Sequence, residues 1–215
     1  MAEDRTGTNL LERAEKVIGA LAPLYPDPRP VLDYRNPFQL LVATVLSAQC
    51  TDATVNRVTP ALFARWSGPA SLAQAPIEEI EGIIHSTGFF RAKSRHLSGL
   101  SRTLVQRHAG EVPRTMDELT ALPGVGRKTA GVVLSACWGG SAIIVDTHFG
   151  RTARRLGFAS STNPAVLEKE IAAYLPSRQW TLFSHLLNRH GRVVCVARTP
   201  RCVDCAISPL CPSRV

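Results

Sequence analysis

The chain has 215 residues, of which 45% are hydrophobic and 20% are charged, a composition typical of a globular protein with a substantial core. Its formal net charge of +8 and its pI of about 9.6 indicate a polyanionic partner. No apolar run reaches the roughly 18 residues that a membrane span needs, and no secretory signal is present. We therefore expect a cytoplasmic protein and no membrane partner.

The N-terminal part of the chain predicts one amphipathic helix. Met1 to Thr8 is polar and is expected to be frayed, whereas apolar residues recur on one helical face from Leu10 to Leu21. Four prolines follow, at positions 23, 26, 28 and 30. They predict a stiff segment at which the chain passes from one lobe to another.

The middle of the chain predicts a series of helices. Asn36-Pro37 is an N-cap followed by proline at the first helical position, and Phe38 to Ala48 is apolar on nearly all sides, so we expect a central buried helix. Thr51-Asp52 opens another helix toward Trp66. Three more helices are predicted over residues 71–75, 76–85 and 92–108. No strand pattern is present, so the predicted fold class is all-α.

The helix over 92–108 combines an apolar face with many cations. Leucines at positions 97, 100 and 104 share the apolar face, and the cations are expected on the rest of the helix surface. These cations are Arg91, Lys93, Arg95, Arg102 and Arg107. They fit a strip that faces phosphates and, equally well, an ordinary solvated helix surface.

A short helix is predicted just before the glycine-rich stretch LPGVGRKTA, residues 122–130. Thr115 and Glu118 form a capping box, in which Thr115 caps a backbone N–H and Glu118 reaches back. The helix that they start is expected to run to about Leu122, because Pro123 ends it.

The glycine-rich stretch itself predicts a helix-hairpin-helix. Gly124-Val125-Gly126 provides two positions that tolerate positive φ, and a second helix is expected from Arg127 to Trp138, closed by two glycines. Such a turn points backbone N–H groups outward at a helix N-terminus, where a nucleic-acid phosphate is a natural ligand. A simple connecting loop is the alternative.

Lys128 and Asp146 are the candidate catalytic residues. Lys128 lies in the first turn of its helix, where the helix dipole disfavours a cation; this field, with Arg127 and partial burial, would favour the neutral amine that a nucleophile needs. A solvated surface lysine fits as well. Asp146 follows the apolar run 142–145 and is expected to cap a helix over 147–156, and capping alone would explain an aspartate. Two further helices are predicted over 163–175 and 179–189, the last ended by Gly191.

Four of the six cysteines crowd the C-terminus. They are Cys195, Cys202, Cys205 and Cys211, whereas Cys50 and Cys137 lie in apolar helical stretches as small core residues. The absence of a secretory signal favours reduced thiols or metal ligands over disulfides. With only one Cys-x-x-Cys, the spacing favours an iron–sulfur cluster over zinc but leaves both open.

The chain resembles the helix-hairpin-helix DNA glycosylases, specifically the endonuclease III family. The stretches that carry this resemblance are LPGVGRKTA, the downstream VDTH and NPFQLLVATVLSAQCTDATVN. The resemblance extends from about Pro37 to Cys211. It implies that Lys128 attacks C1′ of a damaged nucleotide and that Asp146 assists base loss and later proton transfers. It also implies that the four-cysteine loop binds a [4Fe–4S] cluster. The cluster would serve redox chemistry or, as we favour because base excision needs no net electron transfer, would shape a loop that carries Arg198 and Arg201 to DNA phosphates.

The resemblance also implies a two-lobed architecture. A six-helix lobe, residues 30–140, would contain the helix-hairpin-helix at about 115–138, and residues 1–29 with 141–215 would form a second helical lobe with the cluster loop at 195–211. A DNA-binding cleft is expected between the lobes. Gln49 and Phe89 would fill the gap left by a flipped nucleotide, although burial of Phe89 and Phe90 in the core is an equal alternative.

The predicted function is that of a bifunctional DNA glycosylase and apurinic/apyrimidinic lyase of base excision repair. It would flip an oxidised pyrimidine out of the duplex, displace it with a lysine and cut the strand by β-elimination. The expected partner is double-stranded DNA with damaged bases or abasic sites, bound by a monomer at the nucleoid. The alternatives are an adenine-mismatch glycosylase and a non-catalytic helix-hairpin-helix scaffold.

Overall fold

The structure is a computed structural model that describes residues 3–26 and 32–214, with side chains from residue 9 onward. All regular structure within these residues is helical, so the predicted all-α class is confirmed. The chain forms two compact units. The central unit is Pro30–Gly140, and the terminal unit combines Met1–Arg29 with Ser141–Val215. Among the described residues, no helix has both the length and the apolar character needed to cross a bilayer.

The described α-helices are, in chain order, α1 Glu3–Leu21, α2 Pro37–Leu46, α3 Asp52–Arg65, α4 Pro69–Ala73, α5 Ile77–Ile84, α6 Phe90–Arg107, α7 Met116–Thr120, α8 Arg127–Trp138, α9 Thr147–Arg155, α10 Pro164–Ala172 and α11 Ser177–Val193. Two 3₁₀ turns, His85–Thr87 and Ser208–Leu210, complete the regular structure of these residues. Helices α2 to α8 belong to the central unit, and the other four belong to the terminal unit.

Helix α2 is the core of the central unit. Asn36 caps it by accepting a hydrogen bond from the Gln39 N–H at 2.9 Å, and Pro37 occupies its first position, as predicted. Phe38 and every residue from 40 to 46 are buried, because the helix is apolar on nearly all sides. It ends at Leu46, two residues earlier than predicted, because the chain then turns toward the Thr51 cap of α3.

The terminal unit packs α1, α9, α10 and α11 around an aromatic core. Phe183 makes edge-to-face contacts with Phe149 and Phe158, with ring centroids 6.1 and 5.3 Å apart, geometries that aromatic pairs prefer. Helix α1 adds one buried face that includes Ala14 and Val17. This helix begins at Glu3, so the prediction of a frayed segment is wrong for residues 3–8. Met1, Pro28 and Pro30 lie outside the described residues.

Helix α11 does not end at Gly191, as the sequence predicted, but continues to Val193. Gly191 serves a packing role instead. A Cβ at this position would lie 2.7 Å from the Thr152 Oγ1 and 2.9 Å from the His148 carbonyl oxygen, both on α9. The glycine therefore permits the close approach of α9 and α11, for which its lower helix propensity is a modest cost.

We predict that Gly191→Ala destabilises the fold, whereas Gly82→Ala does not. Alanine at 191 must displace the α9 backbone, and overpacking of this kind costs about 1–3 kcal/mol. Gly82 lies in α5, where a Cβ would have nothing within 4 Å, so alanine there gains about 0.5–1 kcal/mol of helix propensity. Thermal unfolding of the two variants measures both effects. Equal melting temperatures would show that α9 adjusts freely.

Candidate active site and cysteine loop

The first helix of the hairpin, α7, starts at the predicted cap. The Glu118 N–H donates to the Thr115 Oγ1 at 3.3 Å. The Thr115 hydroxyl in turn donates to the Glu118 carboxylate at 2.6 Å, so the carboxylate reaches back to the hydroxyl, not to the backbone N–H expected of a capping box. The helix ends at Thr120, two residues before the predicted limit at Leu122.

The hairpin turn requires glycine at position 124 for two reasons. Gly124 has φ of 76°, a conformation that L-residues disfavour. A Cβ there would also lie 2.7 Å from the His96 ring on α6. Gly126 has φ of −96° and is the extended N-cap of α8, so only one of the two glycines uses positive φ. Val125 is buried, and its N–H donates to the Leu122 carbonyl at 3.1 Å.

Lys128 lies immediately after this turn, as the second residue of α8. Its side chain and that of Arg127 are exposed, so the partial burial expected for Lys128 is not found. Gly126 gives α8 no capping side chain. The positive end of the helix dipole is therefore presented beside two cationic side chains, an arrangement that attracts an anion to the surface on which Lys128 lies.

Asp146 caps α9, as predicted. One carboxylate oxygen accepts a hydrogen bond from the Phe149 N–H at 2.8 Å, and the other accepts from the side-chain amide of Asn188 on α11. The preceding segment is tied to α11 as well, because the N–H of Ile144 donates to the Ser184 hydroxyl at 3.0 Å. Two elements thus fix the orientation of this half-buried carboxylate. Lys128 belongs to the central unit and Asp146 to the terminal unit.

The four C-terminal cysteines line one pocket of the terminal unit. All of them are free thiols. Burial raises the pKa of Cys205, and the nearby sulfurs of Cys195, Cys211 and Cys202 raise it further, because thiolates that lie close together repel one another. The loop thus gathers the four thiols that the sequence grouped by spacing.

Arg155, on α9, holds the first part of this loop. Its guanidinium donates to the carbonyls of Val196 and Ala197, both at 2.8 Å, and to the Cys195 Sγ at 3.3 Å. His190 of α11 is buried, with its Nε2 3.3 Å from the Cys205 Sγ. No sequence pattern pointed to Arg155 or His190, because only the fold brings them to the cysteines.

The chemistry of these thiols bears on the kind of metal centre that they suit. Within the part of the chain that is described, no three side chains of His, Cys, Asp or Glu are placed to hold a single metal ion. Four cysteine thiolates are the ligand set of a [4Fe–4S] cluster, in which each thiolate binds its own iron, and also of some structural zinc sites. The common pocket of the four thiols therefore fits a centre with four thiolate ligands.

The two arginines of the cysteine loop are both exposed, but they differ in their contacts. The guanidinium of Arg201 donates to the Val193 carbonyl at the end of α11. Arg201 therefore helps to close the loop as well as adding positive charge to its surface. Arg198 also adds positive charge to this surface.

Gln49 and Phe89 lie on two turns of the central unit and share an unusual backbone conformation. Their φ angles are 52° and 48°, and in the described residues Ala109 is the one other non-glycine residue with positive φ. Phe89 is 68% exposed and Gln49 is also exposed. The alternative that Phe89 is a core residue is therefore wrong; Phe90 is half-buried and packs on His85.

Lys93 is not part of a solvent-facing strip, which corrects the sequence-based grouping of the α6 cations. It is 4% exposed, and its ammonium donates to the carbonyls of Leu46 at 2.8 Å and Thr87 at 2.7 Å. Burial lowers the pKa of Lys93. The sequence did contain a signal for this position, because residues 93, 97, 100 and 104 follow the spacing of one helical face.

Comparisons with known proteins match this architecture. The profile of the HhH-GPD superfamily of base excision DNA repair proteins matches residues 42–177. Endonuclease III of Synechocystis sp. is 48% identical over 94% of this chain and 93% of its own length, and that of Bacillus subtilis is 41% identical over 94% and 92%.

Solved structures agree with the sequence matches. A trapped covalent intermediate of endonuclease III with DNA superposes with a TM-score of 0.88 at 42% identity, covering 94% of this chain and 95% of that chain. A thermostable thymine-DNA glycosylase, at 22% identity and a TM-score of 0.84, shares the fold. The chain therefore belongs to the endonuclease III branch of the HhH-GPD superfamily, the DNA glycosylases and apurinic/apyrimidinic lyases of base excision repair.

Proposed function

We propose that this enzyme removes oxidised pyrimidines from double-stranded DNA with Lys128 as the nucleophile and Asp146 as the residue that assists base loss. The nucleotide must leave the stack, because its C1′ is not accessible inside the duplex. The neutral Lys128 Nζ forms a bond to C1′ as the C1′–N bond to the base breaks, and the base departs with the electron pair and takes up a proton. The amine loses its extra proton, and ring opening gives a Schiff base.

The Schiff base then leads to strand cleavage. It acidifies the C2′ proton, and loss of that proton expels the 3′ phosphate by β-elimination. Asp146 is the group proposed to accept and return protons in these steps, and its carboxylate would also stabilise positive charge that develops on the sugar. The enzyme is regenerated when water hydrolyses the Schiff base.

The main support for this proposal is the position of Lys128. An exposed lysine in the first turn of α8 lies next to a turn suited to phosphate, so a DNA backbone held there would bring a sugar near the amine. A relative at 42% identity was trapped as a covalent intermediate with DNA, the type of adduct that a nucleophilic lysine forms. A scaffold without catalysis would bind DNA but would form no such adduct.

We propose that Gly124, Gly126 and Arg127 bind the DNA backbone, with the buried Val125 shaping the turn. Arg198 and Arg201 would add phosphate contacts from the cysteine loop. Gln49 and Phe89, exposed on two turns, would fill the space left by the flipped nucleotide. A monomer that works on chromosomal DNA at the nucleoid of the cytoplasm is sufficient for this chemistry.

We propose that Cys195, Cys202, Cys205 and Cys211 hold a [4Fe–4S] cluster. The support is their common pocket, the free state of all four thiols and the membership of the chain in the endonuclease III family. When bound, the cluster cross-links the loop that carries Arg198 and Arg201. Base excision involves no net electron transfer. The loop therefore contributes to the reaction only through DNA binding by Arg198 and Arg201.

Lys128→Ala should abolish covalent trapping and leave DNA binding intact. Borohydride reduces a Schiff base to a stable amine, so wild-type protein should form a protein–DNA adduct on an oxidised-pyrimidine duplex and on an abasic duplex. Gel analysis of both substrates measures the adduct. Arg127→Ala is the matched control: the neighbouring cation is lost, binding weakens, and the adduct still forms. Adduct formation by Lys128→Ala at the wild-type level would assign the nucleophile to another residue.

Asp146→Asn should separate catalysis from capping. Asparagine caps a helix about as well as aspartate, and its oxygen can still accept from the Phe149 N–H. The bond from the Asn188 amide is lost, so the melting temperature should fall only by an amount that corresponds to one hydrogen bond, about 1 kcal/mol. Loss of the carboxylate should lower single-turnover base excision by on the order of 100-fold or more. Asn163→Asp, the reverse exchange at the cap of α10, should alter neither property. Full activity in Asp146→Asn would leave the residue with a capping role alone.

The cysteine loop gives a test that does not depend on enzyme activity. Purified protein should be brown and contain about four irons per chain. Cys205→Ser should lose the iron, whereas Cys137→Ser, outside the group, should keep it. Zinc in place of iron in protein from iron-replete cells would contradict the cluster.

Arg155→Ala should also lower the iron content, because it removes the hydrogen bonds to Val196, Ala197 and Cys195. Arg154→Ala is its neighbour on the same helix and serves as the control, since its contact is to Ser161. Iron analysis and visible absorbance compare the two variants. Equal iron in both would show that the loop organises itself without Arg155.

A further inference from the structure

Lys93 bonds to the start of each of the two turns that carry the proposed wedge residues. Leu46 is the last residue of α2, three positions before Gln49, and Thr87 ends the 3₁₀ turn two positions before Phe89. The Lys93 ammonium donates to both carbonyls, at 2.8 and 2.7 Å. One side chain therefore links two turns that are distant in sequence.

The chemistry of the link explains why a cation is buried there. Carbonyls at helix ends lack intrahelical partners and carry the negative end of the helix dipole. Leu46 is fully buried and Thr87 is 1% exposed, so water does not replace a lost donor easily. An ammonium with its three donors serves two such carbonyls at once, whereas an apolar residue of the same length leaves both without this donor.

The turns themselves need support of this kind. Gln49 and Phe89 both adopt positive φ, a conformation that costs energy for a non-glycine residue and persists when its surroundings enforce it. Ala109, with φ of 51°, differs from them because the N–H of the next residue, Gly110, bonds back to the Leu104 carbonyl of α6 at 2.9 Å, and a left-handed residue is a common way to close a helix in this manner. Its φ therefore has a local explanation that involves no link to a second turn.

We propose that Lys93 is a positioning residue that fixes Gln49 and Phe89 relative to each other, so that both side chains enter the DNA together when a nucleotide leaves the stack. The inference rests on the proposed wedge role of these two residues. Without the link, each turn relaxes independently, and the pair no longer fills one gap. Displacements of about 1 Å in positioning groups lower rates by on the order of 100-fold.

Lys93→Met tests the proposal, because methionine keeps an unbranched apolar stem and removes the donors. Single-turnover excision is measured on a fully paired damaged duplex and on the same lesion in a mismatch, where less unstacking is needed. Lys93→Met should lower the paired-to-mismatched rate ratio by about tenfold or more. Strand cleavage at a preformed abasic site should stay near the wild-type rate. Lys93→Gln, which retains a neutral donor, should give an intermediate ratio and serves if the methionine variant does not fold.

The matched control for stability is Leu104→Ala. Leu104 lies on the same buried face of α6, three turns from Lys93 and away from both wedge turns. The melting temperature of this variant should fall, while its paired-to-mismatched rate ratio stays at the wild-type value. All assays are run well below the melting transitions. An equal change of ratio in Leu104→Ala would make the Lys93 effect one of general stability and overturn the proposal.

A multiple-mutant cycle identifies the residues through which Lys93 acts. In a Gln49→Ala/Phe89→Ala background, Lys93→Met should produce no further change in the ratio, because the positioned side chains are already absent. If Lys93→Met lowers the ratio in this background as much as it does in the wild type, the proposal is overturned. It is also overturned if Lys93→Met alone has a normal ratio while Gln49→Ala and Phe89→Ala lower it. Normal ratios in the wedge variants would instead refute the wedge roles themselves, and the positioning role with them, while leaving the roles of Lys128 and Asp146 intact.

Discussion

Unpaired backbone groups at helix ends are the constraint on which the functional parts of this protein depend. An all-helical chain with short helices presents many N–H and C=O groups that no helix satisfies internally. Asp146 accepts from such an N–H, Lys93 donates to two such carbonyls, and Gly126 leaves the start of α8 without a capping side chain. Several residues with a proposed functional role thus lie at helix ends. They either satisfy the unpaired backbone groups there or, like Gly126, leave them available to a ligand.

Local signals made much of the fold predictable. Asn36, Thr51, Thr115, Asp146 and Asn163 all cap the helices that they were predicted to start, because a cap depends on a residue and its next three neighbours. The hairpin turn was predictable for the same reason, because its signal, glycines that follow a proline, lies within a few neighbouring residues. The assignment of the protein to its enzyme family came from longer stretches, whose resemblance is supported by relatives that match most of the chain.

The features that were not predictable depend on contacts between distant segments. Gly191 was predicted to end a helix, because nothing in the neighbouring sequence indicates that it packs against Thr152 on α9. Lys93 was grouped with solvated cations because charge is a stronger local signal than its place on the leucine face. The partners of Asp146 and Cys205, namely Asn188 and His190, are likewise ordinary polar residues of α11 until the fold brings them into contact.

The positive φ at Gln49 and Phe89 sets stability against activity. A left-handed conformation costs an L-residue about 1–2 kcal/mol, and glycine adopts it without that strain, although glycine loses about 0.5–1 kcal/mol of this gain through the entropy of the unfolded chain. Variants chosen for heat resistance alone would therefore tend to accept glycine at these two turns. Each such exchange would delete a side chain proposed to enter DNA, so selection for durability and selection for repair pull these turns in opposite directions.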